Sequence, residues 1–578
     1  MEVTEKRACP RVSSDGLRRE ALAGGFDRGM FRGCFGWRVF EQDLTFDRTI
    51  RGREYFTMQR VTSQMGPVFY ISVALSILFV LWGVLFTENL SGVFSAVLDY
   101  VISTFGWVYL LAVTGFLVFV IYLGFSRYGR IKLGKDDDEP EFTTIGWLSM
   151  LFAAGVGLSF LFWGVAEPAS HFGTPPFGME KAGTTGAAEL SLQYTFFHWG
   201  LHPWAVYAVV AMVLAYFNFR KDGGNLISAA FRPLIGDRVN GPIGKTIDIL
   251  AIFAVLFGVA TALGIGALQL NGGLNYVFGI PNVGAVQVGI IAILTVAFMI
   301  SAATGISKGI LYLSLLNMGI AVTLLVFVLL AGPTVFLLET FTQSIGLYLG
   351  NFTQMSFRAG AFTDSEWAQN WTLFYWAWWI SWAPFVGTFI ARISRGRTIR
   401  QFVFGVLFAP TAFSFLWFTV FGGSAIYLDL YQGADIAGTA ANNLPQSLFD
   451  TLTAFPLGQV TSVLALILVS IFFITSADSA TFVLGSMSTD GAVNPSAPVK
   501  LTWGVVIASF AAILLLAGGL TALQTATITA AVPFSLVMIC LCYCLYKSLS
   551  EEVRETAPEA RGKAAEGPTG RPAPSHNK

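Results

Sequence analysis

Seven consecutive residues, Trp376-Ala377-Trp378-Trp379-Ile380-Ser381-Trp382, carry four indole rings. At helical spacing, about 100° per residue, Trp378, Trp379 and Trp382 fall within one sector. A second run holds Trp199, Trp204 and Tyr207, with Pro203 available to bend it. Ring faces offer a negative quadrupole and an apolar wall together. That pairing suits a cation with no N–H to donate, such as a trimethylammonium group, and each desolvated contact contributes about 2 kcal/mol. The competing reading is an aromatic belt at a membrane boundary. A belt accounts for rings scattered at the ends of spans, and less well for a dense cluster inside one run.

Other chemistry-bearing residues are sparse. Thr475 and Ser476 place two hydroxyls in the apolar run Phe472-Phe473-Ile474-Thr475-Ser476, where hydroxyls usually bond back to their own helix. Glu167, Asp248 and Asp478 fall in or beside apolar runs, where ionisable groups are costly and often functional. Glu167 precedes Pro168 at an expected outer end and reads as solvated, and Asp478 as a tie within its helix. His198 and His202, four apart, have the spacing to share a metal, but no third ligand stands near them, so a structural use is expected. Cys540, Cys542 and Cys544 alternate around a helix and make a poor metal trap. With Cys9 and Cys34 they suggest no disulfide framework. There is no HExxH, no cysteine–histidine nucleophile arrangement and no nucleotide loop, so neither an enzyme nor an organic cofactor is implied.

The elements that must position these residues are membrane helices. Hydrophobic residues make up 54% of the 578 and charged residues only 12%, with a mean hydropathy of +0.64. Soluble domains carry about twice that charged share. The net charge of zero offers nothing to a polyanion, which sets nucleic acid aside. Apolar runs of membrane length give about twelve spans, near 68–87, 106–125, 147–166, 194–217, 247–275, 285–302, 309–337, 371–391, 401–427, 458–485, 500–520 and 527–547. The stretch 339–358 reads as an amphipathic surface helix. Residues 1–65 read as a polar extension with no cleavable signal, either a tail or an overlong gene start, given Met58 and Met65. From Glu551 a short tail of mixed charge follows.

Arg127, Arg130, Lys132 and Lys135 follow the second span. Arg220, Lys221, Arg232, Arg238 and Lys245 follow the fourth, and Arg392, Arg395, Arg397 and Arg400 the eighth. The positive-inside rule then makes these loops and both termini cytoplasmic. Two spans look broken: the third at Ala153-Ala154-Gly155-Val156-Gly157, the eighth at Trp382-Ala383-Pro384 and Gly387. Each begins a group of five spans, and matched interruptions in two halves point to an inverted-repeat transporter with its site at mid-membrane.

At these residues the chain resembles the betaine/choline/carnitine transporters. The resemblance is carried by Trp376–Gly387, continuing into Ala391-Arg392-Ile393-Ser394-Arg395-Gly396-Arg397-Thr398. Phe162–Pro168, His198–His202 and Thr475–Ser479 add to it, and the likeness runs from about Gly66 to Ser550. It is strongest to bacterial sodium-coupled carriers of glycine betaine, a compatible solute. The resemblance implies an all-α polytopic membrane protein with a leucine-transporter-like five-plus-five inverted repeat, 147–337 and 371–547, preceded by two helices. It also implies a homotrimer in the inner membrane, in contact with lipid. Trp199, Trp204, Tyr207 and Trp379 would form the central cage, and Trp378 and Trp382 would line the cytoplasmic pathway. The substrate carboxylate would face Gly155, Gly157 and Ser159. Sodium would be held by the carbonyls of Ala153, Val156 and Phe472 and the hydroxyls of Thr475 and Ser476. Betaine carriers of the family usually have glycine at the position of Ser159, and choline carriers often have aspartate. Choline, carnitine or dimethylsulfoniopropionate uptake, proton coupling, and a sensor that binds without transport stay open as alternatives. Val255 and Val259 stand where some members have threonines for a second sodium. Osmosensing members have a longer basic tail.

Overall fold

Proline starts the first helix, α1 (Pro67–Leu85), at a position where its missing N–H costs nothing. The computed structural model describes residues 65–155, 157–304, 307–363 and 366–565. The expectations for 1–64, Cys9 and Cys34 included, lie outside them, as does Val156. The long helices that follow are α2 (Thr87–Phe125), α3 (Thr144–Gly155), α4 (Leu158–Gly173), α5 (Thr185–Trp199) and α6 (Leu201–Ala215). Then come α7 (Pro242–Phe278), α8 (Gly284–Thr304), α9 (Ser307–Ala331), α10 (Thr334–Gly350), α11 (Phe374–Ile393), α12 (Ile399–Gln432), α13 (Gly458–Ser488) and α14 (Ala497–Ala565). Among the described residues there is no strand, only one isolated bridge between Lys132 and Thr398.

Among the described residues, nine stretches are long and apolar enough to cross a membrane, α5 and α6 counting together as Thr185–Arg220. They account for ten of the expected spans, because α14 holds two that meet at Gly518 and Gly519, where the backbone leaves the helical region. The expected span 147–166 is split into α3 and α4. The span 371–391 is α11, whose tryptophans, tyrosine and proline hold down its hydropathy. The amphipathic stretch is α10 and a short helix after it, and α10 is not among the membrane-length apolar helices. Helices α5 and α6 bury nearly all of themselves, whereas α1, α8 and α9 bury little. The ring-bearing helices are therefore central.

The expectation of two matched breaks is half right. The third span is interrupted, with Gly157 extended (φ −118°, ψ −178°) before α4. The eighth is not: α11 runs unbroken through Pro384, preceded by a π-helical turn at Gln369–Leu373. Gly387 serves packing instead, since a methyl group there would lie 2.8 Å from Val210 Cγ1 on α6. The second break falls in the fourth span, at Gly200 (φ −91°, ψ −132°). Pro203 stands in the first turn of α6, three residues past this break, and its absent N–H removes the bond that would otherwise run back to Trp199 O. A side chain at Gly200 would meet Phe196 O at 2.5 Å and Phe415 at 3.0 Å. Beyond it the freed Leu201 N–H donates to Tyr348 Oη of α10 at 3.4 Å.

The basic loops gather at one end. Leu133 N–H donates to Arg397 O (2.8 Å) and Gly396 N–H to Leu133 O (2.9 Å), pairing the loop after α2 with the turn before α12. Thr398 and Gln401 then start α12 with reciprocal side-chain caps, which satisfy two otherwise orphaned N–H groups. Arg395 sits 3.2 Å from both carboxylate oxygens of Asp138 and, with the Lys135 N–H, holds that carboxyl below its usual range. Arg220 reaches Asp136 at 2.8 Å and Glu552 at 2.6 Å. The chain past Glu551 is therefore no loose tail at its start: α14 continues, and Glu552 is buried.

Candidate functional site

The interruption at Gly200 exposes the last carbonyls of α5. One of them, His198 O, accepts the indole N–H of Trp379 at 3.1 Å. This bond fixes Trp379 on α11 against Trp199 on α5, with ring centroids 4.9 Å apart and planes at 71°. Tyr207 on α6 approaches Trp379 edge-on at 6.2 Å, and Trp204 continues the wall to Tyr207 at 5.6 Å. The four rings expected to act together are thus contiguous. Each is 4 or 5% exposed, so the cluster is closed to bulk water.

Residues not singled out from the sequence complete the wall. Tyr375 stacks on Trp379 at 5.7 Å, while Phe160 and Phe418 contact Trp199 at 5.1 and 4.9 Å. Phe160 matters most for position. It follows Ser159 in the first turn of α4, a helix N-terminus that favours an anion, with Phe160's own N–H turned back to Gly157 O at 3.1 Å. Ser159 is buried at 9% exposure. The donor-rich helix end and the ring cluster are therefore adjacent, joined through one residue. Gly155 ends α3, and Gly157 supplies the extended step between the two helices.

Trp378 is fully buried and stacks on Trp379 at 5.3 Å. Trp382 lies edge-on to Trp378 at 6.5 Å, and a methyl group on Gly258 of α7 would lie 2.7 Å from its ring. Neither indole N–H has a hydrogen-bond partner. Trp376 faces elsewhere, stacked on His202 at 5.2 Å.

The hydroxyl of Thr475 bonds back to Ile471 O at 2.9 Å, with Phe472 O at 3.3 Å, as such hydroxyls usually do. Its lone pairs stay available. Ser476 is half-buried and Phe472 buried. A methyl group on Gly266 of α7 would meet Leu158 at 2.5 Å and Phe473 at 3.1 Å, so α13 at Phe473 lies beside the start of α4. Ala153 lies on α3 at the other side of the break. Val255 and Val259 are buried and offer no oxygen ligand.

Glu167 departs most from expectation. It is not solvated at an outer end but fully buried. Oε2 accepts from Trp199 Nε1 at 2.6 Å and from Tyr375 Oη at 2.5 Å, and Oε1 pairs with His198 Nδ1 at 2.7 Å. One carboxylate thus orients two rings of the wall. The reason is tertiary: Glu167 lies on α4, which packs along α5, and desolvation demands partners for its charge. Asp248 is structural, accepting from Ser228 N–H (2.9 Å) and Oγ (2.7 Å). Asp478 is half-buried on α13. His202 is held by Trp376 and Phe352, a structural use.

The family model of the betaine/carnitine/choline family transporters matches residues 67–554. The glycine betaine transporter OpuD of Bacillus subtilis is 51% identical over 494 residues, spanning 85% of this chain and 96% of its own. A probable glycine betaine transporter of Desulfitobacterium hafniense is 45% identical over 496 residues, 85% of this chain and 99% of its own. An ectoine/hydroxyectoine transporter of Virgibacillus pantothenticus is 44% identical over 486 residues, 84% of this chain and 97% of its own.

Proposed function

Since the chain belongs to the betaine/carnitine/choline transporter family of multi-pass membrane carriers, we propose that it takes up glycine betaine with sodium by alternating access. The observation that carries this reading is the contact of Phe160 with Trp199. It puts a helix N-terminus beside a ring cage, as a short zwitterion with a trimethylammonium head and a carboxylate requires.

Trp199, Trp204, Tyr207 and Trp379 receive the cation on their faces. Ser159 and the backbone from Gly155 to Gly157 receive the carboxylate, and Glu167 holds Trp199 and Tyr375 in place. Trp378 and Trp382 line the exit toward the basic, cytoplasmic end. Sodium binds between the α3–α4 break (Ala153, Val156) and α13 (Phe472, Thr475, Ser476). Coupling follows from that position: an ion that orders the break also orders the donors that meet the carboxylate, so each ligand raises the other's affinity by the same factor. The two groups of five helices, 147–337 and 371–547, rock about this site as inverted repeats. The carrier works as a trimer in the plasma membrane, with both termini cytoplasmic and lipid against the outer helices.

Counterflow in proteoliposomes tests the reading. Unlabelled internal betaine accelerates entry of labelled betaine in sodium, and replacing sodium by potassium abolishes driven uptake. Absence of acceleration marks a sensor. Faster counterflow with choline, carnitine, dimethylsulfoniopropionate or ectoine replaces betaine as the substrate, and retention in potassium with loss at alkaline external pH replaces sodium by protons.

A further inference from the structure

His171 is fully buried, and its ring nitrogens make no hydrogen bond better than the 3.4 Å pairing of Nε2 with Glu167 Oε1. Buried polar groups are satisfied in the great majority of cases, so this imidazole calls for an explanation. It lies one helical turn after Glu167 on α4, on the same face, with Nε2 3.4 Å from Glu167 Oε1. From α5, His198 brings Nδ1 to 2.7 Å from the same oxygen. All three residues are fully buried, and their ligand atoms lie within 4.8 Å of one another. We propose that Glu167, His171 and His198 form a binding site for a borderline transition-metal dication of the zinc class, distinct from the sodium site.

The donor chemistry fits. Two imidazoles and one carboxylate form a set that zinc accepts with a fourth position open to water. With bonds of about 2.0–2.1 Å, ligand atoms around a tetrahedral ion stand about 3.3 Å apart. The 3.4 Å separation already matches, the 2.7 Å one must open by a few tenths of an ångström, and the two imidazole nitrogens, which lie within 4.8 Å, must settle at the same spacing. The outer shell is in place for two of the three ligands. His198 Nε2 lies 2.9 Å from Thr372 Oγ1, so its N–H can donate there and leave the Nδ1 lone pair to a metal. Trp199 and Tyr375 hold the other carboxylate oxygen. Such partners fix a ligand's orientation and raise affinity. Trp371 and Trp367 wall the His171 ring at 4.5 and 5.0 Å. Because Glu167 also orients two rings of the cage, a bound dication clamps that carboxylate and slows uptake.

The test uses the purified full chain, its affinity tag removed, titrated with cobalt(II) at rest and during sodium-driven betaine turnover. One equivalent should produce a visible ligand-field band that zinc displaces. His171→Gln and His198→Gln should each lower cobalt affinity at least tenfold. His171→Gln, which touches none of the cage residues named above, should keep its uptake rate without metal and lose zinc inhibition by the same factor. No band under either condition, or a band unchanged in His171→Gln, overturns the proposal. The binding arm does not require betaine to be the substrate, so its failure is separable from failure of the transport reading.

Discussion

Trp379 on α11 donates its indole N–H to the backbone carbonyl of His198 on α5, 3.1 Å away. That carbonyl would be engaged by its own helix if Gly200 did not end α5 two residues later. The ring at the centre of the aromatic cluster is therefore aimed by an interruption in a neighbouring helix.

Gly200→Ala tests this dependence. A methyl group would press on Phe196 O and Phe415, an overpacking that costs about 1–3 kcal/mol. A lower melting temperature is expected together with weaker betaine affinity, measured by thermal unfolding at several betaine concentrations. A melting temperature equal to wild type would remove Gly200 from this role.

Trp379→Leu removes one ring face. Loss of about 2 kcal/mol corresponds to roughly thirtyfold weaker betaine binding. Trp379→Phe keeps a face but abandons the bond to His198 O, so its loss should be smaller. Isothermal titration of both variants gives the order, and equal losses would mean that the hydrogen bond, not the face, matters.

Glu167 separates charge from geometry. In Glu167→Gln the amide oxygen can accept from Trp199 and Tyr375 while its NH2 donates to a re-tautomerised His198, so folding and affinity should change little. Glu167→Leu strands the two aromatic donors, at about 1–3 kcal/mol each when unpaired. Its betaine affinity and melting temperature should both fall sharply. Comparable behaviour of the two variants would contradict the orienting role.

Sequence signals were good for what is local and poor for what is tertiary. The break at Gly155–Gly157 was legible because two glycines and a small-residue run concentrate there. Gly200 itself was missed although Pro203 marked this run as bendable, because the demand for a residue without a side chain arises from Tyr348 and Phe415, far away in the chain. The expected break at Pro384 failed for the complementary reason, since α11 absorbs one proline inside a helix packed closely on α6. The cage rings were readable as types, but Glu167 was not readable as their common partner. That requires α4 to lie along α5, although its i,i+4 relation to His171 was a usable hint.

Thr475→Ala combined with Ser476→Ala should remove sodium-driven uptake. Thr475 alone should have the smaller effect on folding, since its hydroxyl mainly returns to Ile471 O. Initial uptake rates across a sodium series are the measurement, and an unchanged half-saturating sodium concentration in the double variant would exclude these ligands.

Ser159→Asp should invert preference between betaine and choline. A new carboxylate in the first turn of α4 repels the carboxylate of betaine and accepts a hydrogen bond from the hydroxyl of choline. At about 1.4 kcal/mol per tenfold, even one unfavourable contact suffices for a tenfold change in the ratio of half-saturating concentrations. No change in the ratio would place the carboxylate elsewhere.

Glu552, near the close of the long last helix, answers Tyr216, Arg220 and Lys221 at 2.6–2.9 Å, and Ser550 meets Tyr128 at 2.8 Å. For anyone attaching a fluorescent reporter or trimming the gene, this sets a boundary. A cut at 549 would strip three side chains of their shared acid. A fusion joined after 565 leaves that knot whole, and reports on the carrier rather than on the damage done by the scissors.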